Sequence, residues 1–225
     1  AKIINVTDQF LASKASWGFN EWLHWLSGKD DEIEIIFINK TSLTIRDMKP
    51  ILDTSGWLNY TTMAVYFTIL NRGSGRERYY GNMRDRHTIN RNLYVNCKLY
   101  TLFIHATNNH WFLVDIDCSG AQHTITVYDS LNNAYSTINR YRNIMNQKFI
   151  EYTGWGEIES YEIKIGDPKF LQMDGSLCGI ATSLNAKYLF YLDENARHSD
   201  GSYAEANRIE FFLDLLHQNP VVQTQ

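Results

Sequence analysis

Gln172-Met173-Asp174-Gly175-Ser176-Leu177-Cys178-Gly179 is the stretch on which the reading of this chain turns. A polar, glycine-containing turn runs into a cysteine, and the apolar run Gly179-Ile180-Ala181 follows. The pattern predicts a buried helix from Cys178 to Leu192 with the thiol at its N-terminal end. There the helix dipole favours the thiolate, the nucleophilic form of cysteine. A free cysteine is equally at home as a small buried hydrophobe. Gln172 decides between the two readings: six positions before the cysteine, its amide reaches across the turn and can donate to a developing oxyanion beside the Cys178 backbone N–H. Gly179 leaves room for a close backbone approach.

A cysteine nucleophile needs a base, and the base needs a partner that fixes its tautomer. His110 opens an expected strand, Trp111 to Asp117, after the polar pair Asn108-Asn109. His105 and His123 also lie near strand ends, so spacing leaves three candidates for the base. Asp129 closes the strand Thr124 to Tyr128 and can accept from an imidazole; as a plain turn-starter it would be followed by Ser130 and Asn132, as it is here. With Leu99 to His105, these strands are joined by short connections, which favours antiparallel neighbours.

Outward from this centre, a Trp-rich helical stretch runs from Asp8 to Leu26, where Trp17, Trp22 and Trp25 share a face and read as core. Asp30, Asp31, Glu32 and Glu34 form an acidic patch before the strand Ile33 to Ile38, read as a solvated turn with a basic partner's contact as the alternative. Leu43 to Leu52 reads as a short helix disturbed by Pro50. Asn59 caps a helix from Tyr60 that ends near Gly73. Arginines 72, 76, 78, 84, 86 and 91, set among glycines, read as a basic loop that is a solvated connector or a docking surface for an acidic partner. Further helices are expected over residues 136 to 150 and Tyr203 to His217, with a strand from Ile158 to Ile165. The class is α+β, organised as an N-terminal lobe over 1 to 40 and a catalytic domain over 41 to 225.

The 225 residues suffice for one substantial core, and a net charge of −4 gives no reason to expect nucleic acid or an anionic membrane as partner. No run reaches the roughly 18 apolar residues of a membrane span. Three widely spaced cysteines, Cys97, Cys118 and Cys178, argue against a disulfide framework and for a reducing, cytoplasmic compartment. They lack metal-ligand spacing and the histidines are scattered, so neither metal nor cofactor is expected. A monomer is the default expectation.

The set of motifs resembles the cysteine peptidases of the Ulp1 and sentrin-protease type, which share a fold with adenovirus protease. The resemblance rests on Gln172 to Gly179, His110-Trp111, Tyr128-Asp129-Ser130, Trp57-Leu58-Asn59 and Leu43-Thr44-Ile45-Arg46-Asp47-Met48, in the family's order. It implies a mostly antiparallel central sheet carrying His110 and Asp129 against the Cys178 helix. It also implies cleavage after the Gly-Gly tail of ubiquitin, SUMO or NEDD8, with Trp57 and Trp111 walling a slot that excludes any residue bearing a Cβ. SUMO-directed members carry an acid where this chain has Tyr60, so ubiquitin is favoured, as in bacterial effector relatives acting inside a host cell. In such enzymes the variable N-terminal region helps dock the modifier. Two alternatives stand beside this reading: an acetyltransferase using Cys178 as acyl carrier, and a module that holds a modifier without cutting it.

Overall fold

The computed structural model of the protein describes residues 2–73, 77–82, 98–106, 110–153, 160–190 and 199–220. Cys97, the Asn108-Asn109 turn, Arg76, Arg84, Arg86, Arg91, the start of the strand expected from Ile158 and the end of the helix expected to reach Leu192 lie outside those residues.

A five-stranded sheet occupies the middle of the molecule. Its strands are β4 (Arg78–Asn82), β5 (Leu99–His105), β6 (Trp111–Asp117), β7 (Thr124–Tyr128) and β8 (Glu162–Ile165), in that spatial order. The three central strands are antiparallel, as expected, and each edge strand joins parallel to its neighbour. Side-chain alternation sends Trp111 and Leu113 to one face and Phe112, Val114 and Ile116 to the other. The second face is covered by α5 (Ala134–Thr153) through Ala134, Ile138, Tyr141 and Met145.

The first face packs on α6 (Cys178–Phe190), whose residues from Cys178 to Tyr188 are all buried. A helix buried on every side has to satisfy its polar side chains internally, as Asn185 does on Phe170 and Ser183 on the Gly179 carbonyl. α4 (Tyr60–Gly73) and α7 (Ala204–His217) enclose it, and α3 (Ile45–Leu52) packs on α7. The one lysine of α6, Lys187, is buried with them. It is tolerated because Asp214 (2.8 Å) and Glu210 (3.3 Å) meet its charge, while Tyr66 and Tyr188 donate to those carboxylates.

Residues 1–40 are built into this same core. β1 (Ile3–Asn5) pairs parallel with β2 (Glu34–Ile36), which pairs antiparallel with β3 (Ser42–Thr44). The Trp-rich stretch is two helices, α1 (Asp8–Ser13) and α2 (Phe19–Ser27), because Gly18 opens the second and its N–H donates to Glu21 at 3.0 Å. Trp22 is buried against Phe212 of α7, ring centroids 5.3 Å apart. Two members of the acidic patch are spent within the chain: Asp31 holds Lys49 at 2.7 Å and Glu32 pairs with Arg46.

The expected basic loop is corrected at its start. Residues 78–82 are strand β4, with Tyr79 and Tyr80 buried on opposite faces. Arg78 tolerates this position because Asp115 pairs with it, Thr101 accepts from it at 2.8 Å, and its guanidinium lies 3.7 Å from the Phe190 ring. Arg72 donates to Gln218 at 3.0 Å. The helix expected from Leu43 begins at Ile45 instead, since Leu43 is a strand residue and Thr44 caps the helix in a reciprocal box with Asp47.

Candidate active site

Strand register assembles the base and its partner. β6 and β7 run antiparallel with Leu113 opposite Tyr128, so Asp129 comes level with Phe112, and His110, two positions back on the same face as Phe112, is its diagonal neighbour. His110 Nε2 lies 3.0 Å from Asp129 Oδ2. With Nε2 so engaged, Nδ1 is the ring nitrogen left for the hydrogen bond that His110 shares with the Cys178 side chain. One turn along α6, Thr182 Oγ1 donates to the Trp111 carbonyl at 3.1 Å. That bond pins the first turn of the helix, and Cys178 with it, to the start of β6. Neither His105 nor His123 takes the role: His105 stacks on Trp111 at 4.0 Å, and His123 packs near Tyr161.

The charge balance at His110 favours the protonated imidazole. Burial disfavours charge on His110, but hydrogen bonds to Asp129 and Cys178, with their negative charges, outweigh it and raise the imidazolium to about 10. Burial also pushes the Asp129 carboxyl upward. His110, the Thr137 hydroxyl and the Leu131 N–H (3.0 Å) overcome that and keep it below its ordinary value. By contrast the Cys118 thiol, half-buried beside Asp117, is pushed up to about 11 and is no nucleophile.

Gln172 is buried, and its amide is fixed in one orientation. Its Oε1 accepts from the Ser130 hydroxyl, and its Nε2 donates to the Asp174 carbonyl at 2.7 Å. Its backbone N–H also donates to the Ser130 carbonyl at 2.9 Å. Among the described residues the second Nε2–H has no hydrogen-bond partner. Cys178 stands at the first position of α6, the end of the helix that carries the positive pole of its dipole. The turn between them is wound on Asp174, whose Oδ1 accepts from the N–H groups of Ser176 (3.0 Å) and Leu177 (2.8 Å).

The expected substrate contacts are placed unequally. Trp57, 42% exposed, lines a cavity of about 480 Å³ together with His110, Asp129, Gln172 and Gly175. Trp111 is 1% exposed, covered by the stacked His105, and its indole N–H has no partner among the described residues. Tyr60 is half-buried, its ring 5.6 Å from Phe103. Gly179 is corrected: the room it leaves is taken by Leu58, whose Cβ and Cδ1 lie 3.1 Å from where a Gly179 Cβ would stand. It therefore locks the Trp57-Leu58-Asn59 segment onto the nucleophile helix and does not face the cavity. Asn59 caps α4 through Thr62 (2.9 Å) and is itself held by Asp47 at 2.6 Å.

Four contributors escaped sequence reasoning. Ser130 and Thr137 act on Gln172 and Asp129. Asp174 was signalled, since Asp-Gly-Ser is a turn that a side-chain carboxylate can close. Arg208 of α7 is fully buried and donates to the carbonyls of Pro50 (3.0 Å), Ile51 (3.2 Å) and Thr54 (3.3 Å) and to Ser176 Oγ (3.4 Å). It ties the loop before Trp57 to the turn before Cys178. That loop is as tight as it can be, because a Cβ on Gly56 would stand 2.5 Å from the Pro50 oxygen. Among the described residues no cluster of His, Cys, Asp or Glu could hold a metal ion.

A buried cysteine at a helix start, an imidazole bonded to it and a carboxylate behind the imidazole are the parts of a cysteine-peptidase site. The chain belongs to the Ulp1 protease family: residues 61–192 match the model of its C-terminal catalytic domain. The structure is similar to the yeast Ulp1 protease domain solved in complex with Smt3, the yeast ortholog of SUMO. The TM-score is 0.62 and the identity 16%, over 89% of this chain and 94% of that one. It is similar too to the Chaetomium thermophilum Ulp1-like SUMO protease catalytic domain, with a TM-score of 0.58 and 14% identity over 89% of each chain. No curated protein sequence matches.

Proposed function

We propose that this enzyme hydrolyses the peptide or isopeptide bond after the C-terminal Gly-Gly of a ubiquitin-like modifier, with ubiquitin favoured. The observation that carries the reading is the His110 pair: one ring nitrogen on Asp129 at 3.0 Å, the other on Cys178. The Cys178 thiolate attacks the terminal glycine carbonyl, and the oxyanion is held by Gln172 Nε2–H and the Cys178 N–H. As the tetrahedral intermediate collapses, the C–N bond breaks and His110 gives its proton to the departing amine. Water then adds to the thioester, His110 takes a proton from it, and the modifier leaves as a free carboxylate with Cys178 restored. Asp129 keeps the imidazole oriented through both halves.

Trp57 is the ring against which the extended diglycine lies. Trp111, buried under the His105 ring, backs the start of β6 from beneath. The preference for ubiquitin rests on Tyr60: at the position where SUMO-directed relatives carry an acid, this chain places a ring packed on Phe103, which offers a basic modifier residue no salt bridge. Because α2 shares the core of the catalytic unit, contacts with the modifier made by residues 1–40 belong to one rigid surface with the site. The chain acts alone in the reducing cytoplasm, including that of a host cell.

The test is to offer the wild-type chain and Cys178→Ala ubiquitin, SUMO and NEDD8 probes ending in an electrophile in place of the terminal glycine. An adduct with ubiquitin that is absent in the variant is expected. Adducts with SUMO alone would overturn the ubiquitin preference, and silence with all three would overturn the reading.

A further inference from the structure

The cavity is wider than the catalytic groups require, and its far wall carries side chains the reaction does not use. That wall is the turn after Asp129 and the start of α5, contributing Leu131, Asn133, Ser136, Thr137, Arg140 and Tyr141. Two of these are committed elsewhere. Thr137 donates to Asp129, and Tyr141 is buried in the sheet face, its ring stacked on Phe112. The other four are exposed, and positions 133, 136 and 140 recur at the spacing of one helix face. Leu131 and Tyr135 are two of the large apolar side chains left in solvent, and Leu131 stands at the cavity.

Charge on the cavity walls is simple. The His110 imidazolium and the Asp129 carboxylate offset each other at 3.0 Å. Arg140 is the remaining charged residue of the lining, and no ion pair engages it among the described residues. The far wall thus presents one cation, its guanidinium 5.9 Å from the Tyr141 ring, next to an exposed leucine.

The chemistry bears on which part of a substrate meets this wall. His110 has to reach the leaving nitrogen to protonate it, and it lines one cavity with the α5 residues and with Trp57, so a leaving group held in that cavity is within reach of the α5 wall. We infer that the α5 wall is a subsite for the leaving-group segment, in which Leu131 packs on the alkyl chain of the acceptor lysine and Arg140 takes a carboxylate one or two residues away. The enzyme then prefers conjugates whose modified lysine has acidic neighbours. This rests on the isopeptidase reading above.

The experiment uses ubiquitin and SUMO, each joined by an isopeptide bond to the lysine of a short peptide flanked by aspartates or by lysines. A coumarin amide of each modifier has no peptide on the leaving side and serves as reference. For the wild type, kcat/KM should favour the aspartate-flanked peptide about fivefold, the effect of a partly exposed ion pair. Arg140→Glu should bring that ratio below one, and Arg140→Lys should preserve its direction. Taking the ratio within each enzyme cancels any general loss of activity. A ratio that is flat in the wild type, or equal in wild type and Arg140→Glu, overturns the subsite while coumarin turnover leaves the isopeptidase reading standing. Absence of turnover with every substrate, together with no adduct, overturns both.

Discussion

The two walls of the cavity are built on opposite plans. On the catalytic wall every side chain is held by another: Asp129 by Thr137 and the Leu131 N–H, His110 by Asp129, Gln172 by Ser130 and Asp174. On the α5 wall Leu131, Asn133, Ser136 and Arg140 stand in solvent. Groups that must be in place before the substrate arrives gain from such fixing, because no reorganisation is then needed during the reaction. Groups that only grade one substrate against another contribute at the scale of exposed contacts. Substitutions should therefore separate the walls by orders of magnitude.

The largest effect is expected from Cys178→Ala, which should lower kcat/KM about 10⁶-fold, with Tm nearly unchanged. Asp129→Asn should lower it about 10³- to 10⁴-fold, since the imidazole loses its orienting carboxylate. The same variant checks the charge balance. His110 is raised from 6.5 to about 10, so its contribution to stability is fully present below pH 6.5 and is lost as pH rises through about 10. The Tm gap between wild type and Asp129→Asn should close over that interval, and the alkaline limb of kcat/KM should move down toward the ordinary histidine range.

Gln172→Ala should cost about 10²- to 10³-fold in kcat. Ser130→Ala should cost about tenfold in kcat with little change in KM, the loss of one positioning hydrogen bond. An equal rise in KM would instead place Ser130 in substrate binding. At the far wall, Leu131→Ala should change kcat/KM only about two- to fivefold, and only for substrates with a peptide on the leaving side. A hundredfold loss there would erase the distinction between the walls.

How much of this was legible in the sequence depends on the distance over which each residue finds its partner. Strands β5, β6 and β7 were readable to the residue because their alternation and the short turns between them are local signals. Cys178, Asp129 and Gln172 stood out as candidates at element ends beside turns, whereas spacing left His105, His110 and His123 open and the family resemblance singled out His110. β4 was not readable: Arg78 reads as loop until Asp115, 37 positions away, is seen beneath it. Likewise Ser130 meets Gln172 across 42 positions and Arg208 meets Pro50 across 158, and no local pattern announces such pairings. Gly179 was recognised as a close approach, but the segment approaching it, at Leu58, came from another part of the chain.

Arg208 bears on how such an enzyme can change over time or in the laboratory. One guanidinium holds the carbonyls that precede Trp57 and the hydroxyl that precedes Cys178, and that hydroxyl donates directly to the Thr54 carbonyl at 3.0 Å, so the Trp57 loop and the turn before Cys178 are fastened to each other. A mutation that reshapes residues 53–56 will also displace that turn. Variants of the two segments must then be sought as pairs, and libraries that randomise the Trp57 loop alone should return mostly inactive clones.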